Sequence, residues 1–426
     1  MLKEIERDSG KLRKYLDERS QEISGDVLVA AMDIINDVKK RGDTALKELT
    51  EKFDKVSLED LRVSEEEIDE AISHCDAFFM ESMQKAKENI VFFHQAQLSQ
   101  SILLQKEMGI YLGQRVLPLD AVGIYVPGGR AQYPSSVLMN AIPAKCAGVK
   151  RIVMVTPPNK NGLVHPNIAF AARLAGVDEI YKVGGAQAIA AIAYGTETIS
   201  PVDKIVGPGN IYVAAAKKLV YGKVDIDMIA GPSEILVIAD DGSDPSFVAA
   251  DLLSQAEHDP MASPILLATS QALIDAVNKE LGRQSALLPK RQIVEASLRG
   301  YGKSILCESI DEAINFANSI APEHLELMVE DPMRYLNQVK NAGSVFLGYY
   351  TCESIGDYFG GTNHVLPTSG TARFSSALGV DAFVKRSCYL YYTKEALEAY
   401  GDYIVSMATQ EELQGHANAV LARLGK

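Results

Sequence analysis

The sequence lacks the features that mark membrane, secreted and nucleic-acid-binding proteins. Its apolar runs, of which residues 188–194 are among the longest, are far shorter than the roughly 20 residues that cross a bilayer. The first residues mix charges of both signs and do not resemble a secretory signal. Lys and Arg number 42 against 56 Asp and Glu, and the resulting net charge of −14 repels phosphate backbones and anionic lipids. We therefore expect a cytoplasmic protein that binds neither nucleic acid nor membrane.

Cysteine is also scarce. The five cysteines are odd in number, scattered and without a C-x-x-C pair, which argues against a disulfide framework and against a zinc site built from thiolates. The pattern agrees with a reducing compartment. We expect reduced, mostly buried thiols at Cys75, Cys146, Cys307, Cys352 and Cys388.

What the sequence does contain is an alternation of strand-like and helix-like segments. The 426 residues, 47% of them hydrophobic, suffice for several packed cores. Helical periodicity appears first, for example at residues 26–35. Short β-branched runs then alternate with alanine-rich helical segments; the runs are residues 122–126, 151–155, 180–183 and 204–206. This alternation predicts a parallel sheet covered by helices.

A second series of the same kind follows. Its strand-like runs are residues 234–239, 265–268, 304–306 and 344–347. We therefore predict two α/β units in tandem, although no residue-level repeat demonstrates a duplication. After residue 379 the pattern becomes helical again.

Glycine-rich turns follow three of the predicted strands. They are PGGR at 127–130, GGAQ at 184–187 and GPGN at 207–210. Glycine between the carboxyl end of a strand and the start of a helix lets backbone N–H groups and the helix dipole receive an anion. A tight turn that requires positive φ explains each motif equally well. None matches the G-x-G-x-x-G fingerprint, so these residues support only a nucleotide-sized ligand.

The segment SQAEHDP, residues 254–260, offers two metal-ligand types. Its proline ends a predicted helix, which places His258 in the last helical turn. Gln255 lies three residues earlier on the same face, so that the two side chains point together. A protonated surface histidine at a helix C-terminus is the alternative interpretation.

The segment APEH, residues 321–324, follows a helix that opens with the capping box SIDE at 309–312. Proline takes the chain out of the helix just before Glu323 and His324. An adjacent carboxyl and imidazole can serve two proton transfers, because the imidazole titrates near neutrality and the carboxylate can activate water. The dipeptide by itself is common, so a structural role stays open.

Two further segments complete a candidate metal site. The glycine-rich loop 355–364 carries Asp357 and His364, and a glycine between Glu411 and His416 is expected to leave His416 at the start of the last helix. The pooled candidate ligands are Gln255, His258, Asp357 and His416. Two imidazoles, a carboxylate and a carboxamide are compatible with Zn²⁺ or Mn²⁺. Spacing along the chain does not show that they converge.

Several long motifs, in order along the chain, resemble those of histidinol dehydrogenases. They are DMIAGPSE at 227–234, SQAEHD at 254–259, APEHLE at 321–326, GGTNHVLP at 360–367 and GTAR at 370–373. The similarity extends from the N-terminal helices to the segment of His416. No functionally important position departs from the pattern.

The resemblance implies a zinc-dependent, NAD-linked enzyme that oxidises L-histidinol through L-histidinaldehyde to L-histidine, in the last steps of histidine biosynthesis. It implies one Zn²⁺ per subunit with the ligands Gln255, His258, Asp357 and His416. His324 would accept the alcohol proton and Glu323 would activate water. The substrate would be surrounded by these ligands, His324, Ser233 and Glu411, and NAD would be contacted by Tyr125, Gln187 and Asn210.

The resemblance also implies an architecture. The expected fold is α/β, with two tandem Rossmann-like parallel-sheet domains of the incomplete Rossmann type and helical extensions at both ends. The implied divisions are an N-terminal helical segment 1–24, a discontinuous first α/β domain 25–119 and 235–378, an NAD-binding second α/β domain 120–234, and a C-terminal helical arm 379–426. In the implied homodimer, this arm reaches the active site of the partner.

Other functions compete with this one. A relative could oxidise a different alcohol, such as a sulfonated propanediol, but an anion would favour Arg or Lys where Glu411 stands. A zinc-dependent hydrolase or a catalytically silent metal-binding paralogue is the alternative from another class; the presence of Glu323 and His324 argues against silence. A thiohemiacetal on Cys352 is the rival mechanism for aldehyde oxidation.

Overall fold

Strands and helices alternate along most of the chain. A computed structural model describes residues 1–5, 15, 23–128 and 132–426. The strands are β1 Lys3–Glu4, β2 Ile102–Glu107, β3 Ile110–Pro118, β4 Ala121–Tyr125, β5 Arg151–Thr156, β6 Glu179–Lys182, β7 Lys204–Val206, β8 Asp225–Ile226, β9 Glu234–Ala239, β10 Ser263–Ala268, β11 Lys303–Leu306, β12 His324–Met328, β13 Ser344–Leu347 and β14 Val384–Tyr392. The helices are α1 Gly25–Arg41, α2 Asp43–Asp54, α3 Glu65–Ser73, α4 Ala77–Gln95, α5 Pro134–Ala147, α6 Pro166–Ala175, α7 Gly185–Tyr194, α8 Ile211–Val220, α9 Pro245–Ala256, α10 Gln271–Ser285, α11 Arg291–Gly300, α12 Ile310–Ile320, α13 Pro332–Leu336, α14 Glu353–Tyr358, α15 Lys394–Gln410 and α16 Gln414–Leu424.

A parallel sheet of β4 to β8 forms the first α/β unit. Its strand order is β6-β5-β4-β7-β8. Numbered from β4, this is the order 3-2-1-4-5 of dinucleotide-binding sheets. Connections leave β4 toward opposite edges of the sheet, so a topological switch point lies between β4 and β7. Ligands of such sheets bind beside the carboxyl ends of the strands at that point.

A second parallel sheet has the same order. Its strands run β1-β11-β10-β9-β12-β13, which numbered from β9 repeats 3-2-1-4-5 with β1 added at one edge. The predicted α/β fold with two tandem Rossmann-like sheets is therefore confirmed. The two units share this order although their residues show no repeat. Strand order depends on the pattern of apolar segments and on the handedness of the connections, and neither requires identical residues.

Alternate strand residues supply the cores on the two faces of each sheet. In β5, Val153 and Val155 pack with α1, α2, α7 and α8, whereas Ile152 and Met154 pack with α3 to α6. In the second sheet, odd and even residues of β9 likewise face α9 to α11 and α12. Helices α1 to α4 thus pack on the first sheet, although the sequence analysis grouped residues 25–119 with residues 235–378. The domain boundaries themselves stay a prediction.

The predicted strands coincide with observed strands to within two residues, but β12 was not predicted. Glu326, buried in the middle of β12, interrupts the apolar run that would have indicated a strand.

Two predicted site residues lie in other elements than expected. Asp357, expected in a loop, lies in α14. His258, expected in the last helical turn, lies just beyond α9, which ends at Ala256.

The remaining described residues, 98–118 and 384–426, form a separate compact unit. It contains an antiparallel sheet of order β14-β3-β2 and the helices α15 and α16. Residues 379–426 were predicted to form a helical arm, yet β14 pairs with β3 from Val384 to Tyr392. Its aromatic composition favours a strand, and the partner that stabilises it is more than 250 residues away in sequence.

The cysteines and the start of the chain agree in part with expectation. All five cysteines are free thiols, as predicted, but only Cys307 is buried and Cys388 is exposed. The predicted helical segment 1–24 lies mostly outside the described residues, and Lys3–Glu4 within it form β1. Among the described helices, none combines the length and apolarity needed to span a membrane.

His94 is a buried histidine with a structural role. It lies near the end of α4 with 0% of its surface exposed, and its Nδ1 atom is 2.8 Å from the carbonyl oxygen of Ile90. Its Nε2 atom is 3.4 Å from the amide nitrogen of Asn363. A neutral ring satisfies both contacts, with Nδ1–H as donor and Nε2 as acceptor. Burial lowers the pKa of His94 below its ordinary value of 6.5.

We predict that His94→Gln makes the stability of the protein less sensitive to acid. Because the folded pKa lies below the unfolded one, His94 contributes stability above pH 6.5 that is lost as the pH falls. One such group changes the free energy of unfolding by at most about 1.4 kcal/mol per pH unit. Denaturant unfolding between pH 7.5 and 5 measures this, with His74→Gln, at the exposed residue directly after α3, as control. An unchanged pH slope in His94→Gln would contradict the prediction.

Candidate active site

The predicted catalytic residues lie at the amino ends of β9 and β12. These parallel strands are neighbours, and their register pairs His324 with Ile235, so Glu323 lies opposite Glu234. Ser233, just before β9, belongs to the same edge. Helix α9 runs antiparallel to the strands and returns its C-terminal end to this edge, where Gln255 and His258 follow.

Glu234 holds the two catalytic candidates through three hydrogen bonds and is itself held by a fourth. Its N–H donates to Oε2 of Glu323 at 2.9 Å, and the N–H of Glu323 donates to Oε2 of Glu234 at 3.3 Å. The Glu234 carbonyl oxygen lies 2.8 Å from Nδ1 of His324, and Oε1 accepts the N–H of Ser369 at 2.9 Å. With Nδ1–H as the donor, Nε2 of His324 is the basic nitrogen. It is buried and has no hydrogen-bond partner among the described residues.

His324, Glu353 and Asp357 form a group that could hold a metal ion. Their ligand atoms lie within 4.8 Å of one another, and Nε2 of His324 is 3.8 Å from Oδ1 of Asp357. Glu353 and Asp357 lie four residues apart on α14 and therefore share a face. Glu353 was missed because its segment was interpreted as a loop; the i, i+4 spacing of two carboxyls would have indicated it on a helix.

The predicted ligands Gln255, in the last turn of α9, and His258, just after it, lie at the same edge. Gln255 is 1% exposed, and its Nε2 atom is buried without a partner in the described part of the chain. Burial lowers the pKa of His258, whereas the nearby charge of Asp357 acts to raise it. A buried carboxamide, an imidazole and a carboxylate suit Zn²⁺ or Mn²⁺, and unpaired buried polar atoms are rare unless a ligand satisfies them. The donors present therefore fit a divalent cation.

Two predicted site residues belong to the other compact unit. His416 is the third residue of α16, close to the predicted helix start, and Glu411 ends α15. Both side chains are exposed. Their placement in an active site stays a prediction.

The surroundings of the carboxyl groups in this site shift their pKa values in different directions. Although burial opposes ionisation, His324 and His364 hold the pKa of Asp357 well below its usual range. Burial, together with the charge of Asp357, raises the pKa of Glu353 to about 8, and burial raises that of Glu323 to about 8. Burial disfavours the charged ring of His324, but Glu323 and Asp357 raise its pKa to about 10. Asp357 is therefore the carboxyl group of this set whose surroundings most favour the charged form.

Further acidic groups lie behind α14. Burial raises the pKa of Asp251 to about 6 and that of Glu326 well above its ordinary value. The N–H of Glu353 donates to Oε1 of Glu326 at 2.8 Å, and the hydroxyl of Ser254 donates to Oε2 of Glu353 at 2.9 Å. This excess of acidic groups favours a cationic ligand.

The three predicted NAD contacts lie at the carboxyl edge of the first sheet. Tyr125 ends β4, and its hydroxyl accepts the N–H of Gly185 at 3.1 Å. Gln187, in the first turn of α7, is 2% exposed. The side chain of Asn210 caps α8 by accepting the N–H groups of residues 212 and 213 at 3.0 and 3.1 Å. Two residues of the turn 127–130, Gly129 and Arg130, lie outside the described residues.

The segment 363–364 connects the first sheet to the acidic site. His364 places Nδ1 at 2.9 Å from the carbonyl oxygen of Asp357 and Nε2 at 3.4 Å from Oγ of Ser136 in α5. Asn363 donates to the carbonyl oxygen of Met139, also in α5, at 2.7 Å. The carboxyl edge of the first sheet and the amino edge of the second are thus joined.

Comparison with known proteins agrees with this arrangement. The sequence profile of the family described as histidinol dehydrogenase matches residues 17–424. The chain is 56% identical over 416 residues to the histidinol dehydrogenase of Clostridium acetobutylicum, covering 98% of this chain and 96% of that protein. It is 55% identical over 397 residues to that of Geobacillus kaustophilus, covering 93% and 94%.

A solved structure agrees as well. The crystal structure of histidinol dehydrogenase from Elizabethkingia anophelis superposes with a TM-score of 0.95 at 41% identity, covering 100% of this chain and 98% of that one. A match of this extent includes both sheets and every motif on which the resemblance was based. The chain belongs to the histidinol dehydrogenase family.

Proposed function

We propose that the protein is an NAD-dependent, zinc-containing histidinol dehydrogenase. It oxidises L-histidinol through L-histidinaldehyde to L-histidine, in the last steps of histidine biosynthesis in the cytoplasm. Family membership supports the substrate. The observation that carries the chemistry is the pair Glu323 and His324, fixed by Glu234 and placed beside Asp357.

The charge of the site suits this substrate. Histidinol carries an ammonium group and an imidazole, and the site collects Asp357, Glu353 and Glu323 at one sheet edge. An ionised carboxylate favours a nearby cation most strongly where water is excluded. Glu411 would add a further negative charge if its helix reached the site, and the charge of Asp357 would repel a sulfonated substrate.

The chain's own residues supply the proton transfers. His324 is oriented by the Glu234 carbonyl oxygen, which leaves Nε2 for the substrate. A cation bound beside Asp357 would offset the negative charge that raises the pKa of His324, so that the neutral ring can accept the hydroxyl proton of the alcohol. Glu323, whose pKa of about 8 makes its ionised form a strong base near neutrality, takes a proton from the water whose oxygen joins the aldehyde carbon. NAD, bound beside Tyr125, Gln187 and Asn210, would accept the two electrons and the hydrogen released in each oxidation.

Gln255, His258 and Asp357, with His416 from a second copy, would hold the metal. When bound, Zn²⁺ would orient the amine and ring nitrogens of the substrate and balance the charge of Asp357. The buried, unpaired Nε2 of Gln255 supports this position, because a carboxamide that ligates through its oxygen leaves its N–H₂ group for the substrate or water.

The thiohemiacetal alternative receives no support from Cys352. Burial raises the pKa of its thiol above the ordinary value, and the charges of Asp251 and Glu326 act in the same direction. A raised pKa leaves less thiolate, which is the nucleophilic form.

A homodimer is supported by the surface of the unit formed by residues 98–118 and 384–426. Every residue of β2 is exposed, and in β14 only the first residue is not. Leu103, Leu390, Tyr403 and Met407 are among its exposed apolar side chains. A small sheet with so much uncovered apolar surface is stable only when another surface covers it. We propose that a second copy of the chain does so and receives His416 in its active site.

We predict that His258→Asn and His416→Asn lower zinc occupancy and turnover together, because each removes an imidazole ligand. Metal content per subunit and NADH formation with histidinol measure the two effects. His74→Asn, on an exposed helix face, is the matched control and should keep both. Full zinc content in the two purified variants would show that the site is misassigned.

Chelation tests the same site without substitution. We expect a chelator to abolish histidinol oxidation and added Zn²⁺ to restore it. Add-back of Mn²⁺ in parallel determines whether that ion can replace zinc. Full activity in demonstrably metal-free protein would contradict a metal requirement.

We predict that Glu323→Gln slows the oxidation of supplied histidinaldehyde by about 10²–10⁴-fold, the usual contribution of a general base. Glutamine keeps the size of the side chain and can accept the Glu234 N–H, so aldehyde binding should change much less. Steady-state kcat and KM with the aldehyde separate the two effects. An unchanged aldehyde rate would remove Glu323 from this role.

Mixing two inactive variants tests the shared site. If His416 acts on the partner, a mixed dimer of His258→Asn and His416→Asn chains has one complete site, and random exchange restores about a quarter of wild-type activity. Each variant alone should stay inactive. No recovery after confirmed subunit exchange would show that His416 does not complete the partner's site.

A further inference from the structure

We propose that the buried ion pair of Lys217 and Asp227 positions the glycine turn 207–210 for NAD, and this inference rests on the proposed NAD dependence. Lys217 lies on α8 and Asp227 follows β8 directly. Nζ of Lys217 pairs with Oδ1 of Asp227, and the two side chains are only 3% and 1% exposed. Neither residue belongs to the catalytic or metal-binding groups described above.

The pair binds both polar groups of one residue, Gly207. Oδ2 of Asp227 accepts the N–H of Gly207 at 2.8 Å, and Nζ of Lys217 donates to the carbonyl oxygen of Gly207 at 2.9 Å. Oδ1 of Asp227 also accepts the N–H of Met228 at 2.6 Å. The orientation of the backbone at the first residue of the turn is therefore fixed from both sides.

At Gly207 the turn lies against the end of β4. Its φ is +107°, and a Cβ atom there would lie 2.2 Å from the carbonyl oxygen of Tyr125. The Tyr125 hydroxyl in turn binds the N–H of Gly185 in the turn 184–187. One set of contacts thus runs from the ion pair through Gly207 and Tyr125 to the second glycine turn, across the topological switch point. Asn210 lies three residues beyond Gly207.

Stability alone gives little reason for this ion pair. Burying two charges costs about as much as their attraction returns, and apolar residues of similar size can often replace such a pair. What an apolar pair could not do is bind the N–H and the carbonyl of Gly207. Loss of these bonds would leave two buried backbone groups unsatisfied, and the turn would shift to solvate them.

Strands β7 and β8, which Gly207 and Asp227 directly follow, carry a control ion pair at their amino ends. Lys204, at the start of β7, places Nζ at 2.8 Å from Oδ2 of Asp225, at the start of β8. This pair joins the same strands but lies at the amino edge of the sheet, away from the glycine turns. Its loss should affect stability without affecting the turn.

The experiment measures NAD affinity by calorimetry on zinc-loaded protein, together with histidinol KM and the unfolding temperature. We expect Lys217→Met to raise the Kd for NAD at least about tenfold, the effect of losing one buried hydrogen bond. The histidinol KM should stay within about twofold, since the proposed substrate contacts lie outside the first sheet.

Lys217→Arg, which keeps the charge and can donate to both partners, should recover most of the NAD affinity. Lys204→Met should leave the Kd for NAD unchanged.

Two results would overturn the inference. One is an unchanged Kd for NAD in folded Lys217→Met; the other is a loss of NAD and histidinol binding by the same factor in Lys217→Met and Lys204→Met. If Lys217→Met does not fold, Asp227→Asn, of equal size, is measured in the same way. Wild-type protein that binds NAD without oxidising histidinol would refute the proposed function and leave this test intact, whereas wild-type protein that does not bind NAD would refute both.

Discussion

The parallel pairing of β12 with β9 is the constraint on which the active site depends. Its register places Glu323 opposite Glu234, and backbone and side-chain groups of Glu234 then orient Glu323 and His324. A shift of one residue would turn His324 to the opposite face of the sheet. The catalytic geometry is therefore a consequence of strand register, which the buried apolar residues of both strands enforce.

The two sheets have the same strand order, but the candidate site residues lie at opposite edges of them. The first offers the carboxyl ends of its strands, where glycine turns can approach a dinucleotide, and the second offers the amino ends of β9 and β12. The linker 227–233 spans at most about 25 Å and so keeps these two edges close. Contacts of Asn363 and His364 with α5 join them from the other side. The edge proposed to bind NAD and the edge proposed to bind the substrate can thus belong to one active site.

The environment favours ionisation at one carboxyl group of this site and opposes it at several others. Burial raises the pKa of Glu353, Glu323 and Glu326, whereas His324 and His364 hold that of Asp357 low. A buried negative charge beside an unpaired imidazole nitrogen is costly unless a cation or hydrogen-bonding ligand completes the site. The same property that makes the unliganded site costly would favour the cationic substrate proposed above.

Local patterns in the amino-acid sequence predicted the two parallel sheets, eight of their strands and the motifs of the site, because apolar periodicity and the effects of proline and glycine act over a few residues. They did not predict β12, whose buried Glu326 breaks the apolar pattern, or β14, whose partner β3 lies far away along the chain. They also missed Glu353, which becomes a neighbour of Asp357 once α14 forms. That Gln255, His258, His324 and Asp357 share one sheet edge is a property of the folded chain, since strand order and register bring together residues that local patterns treat as independent.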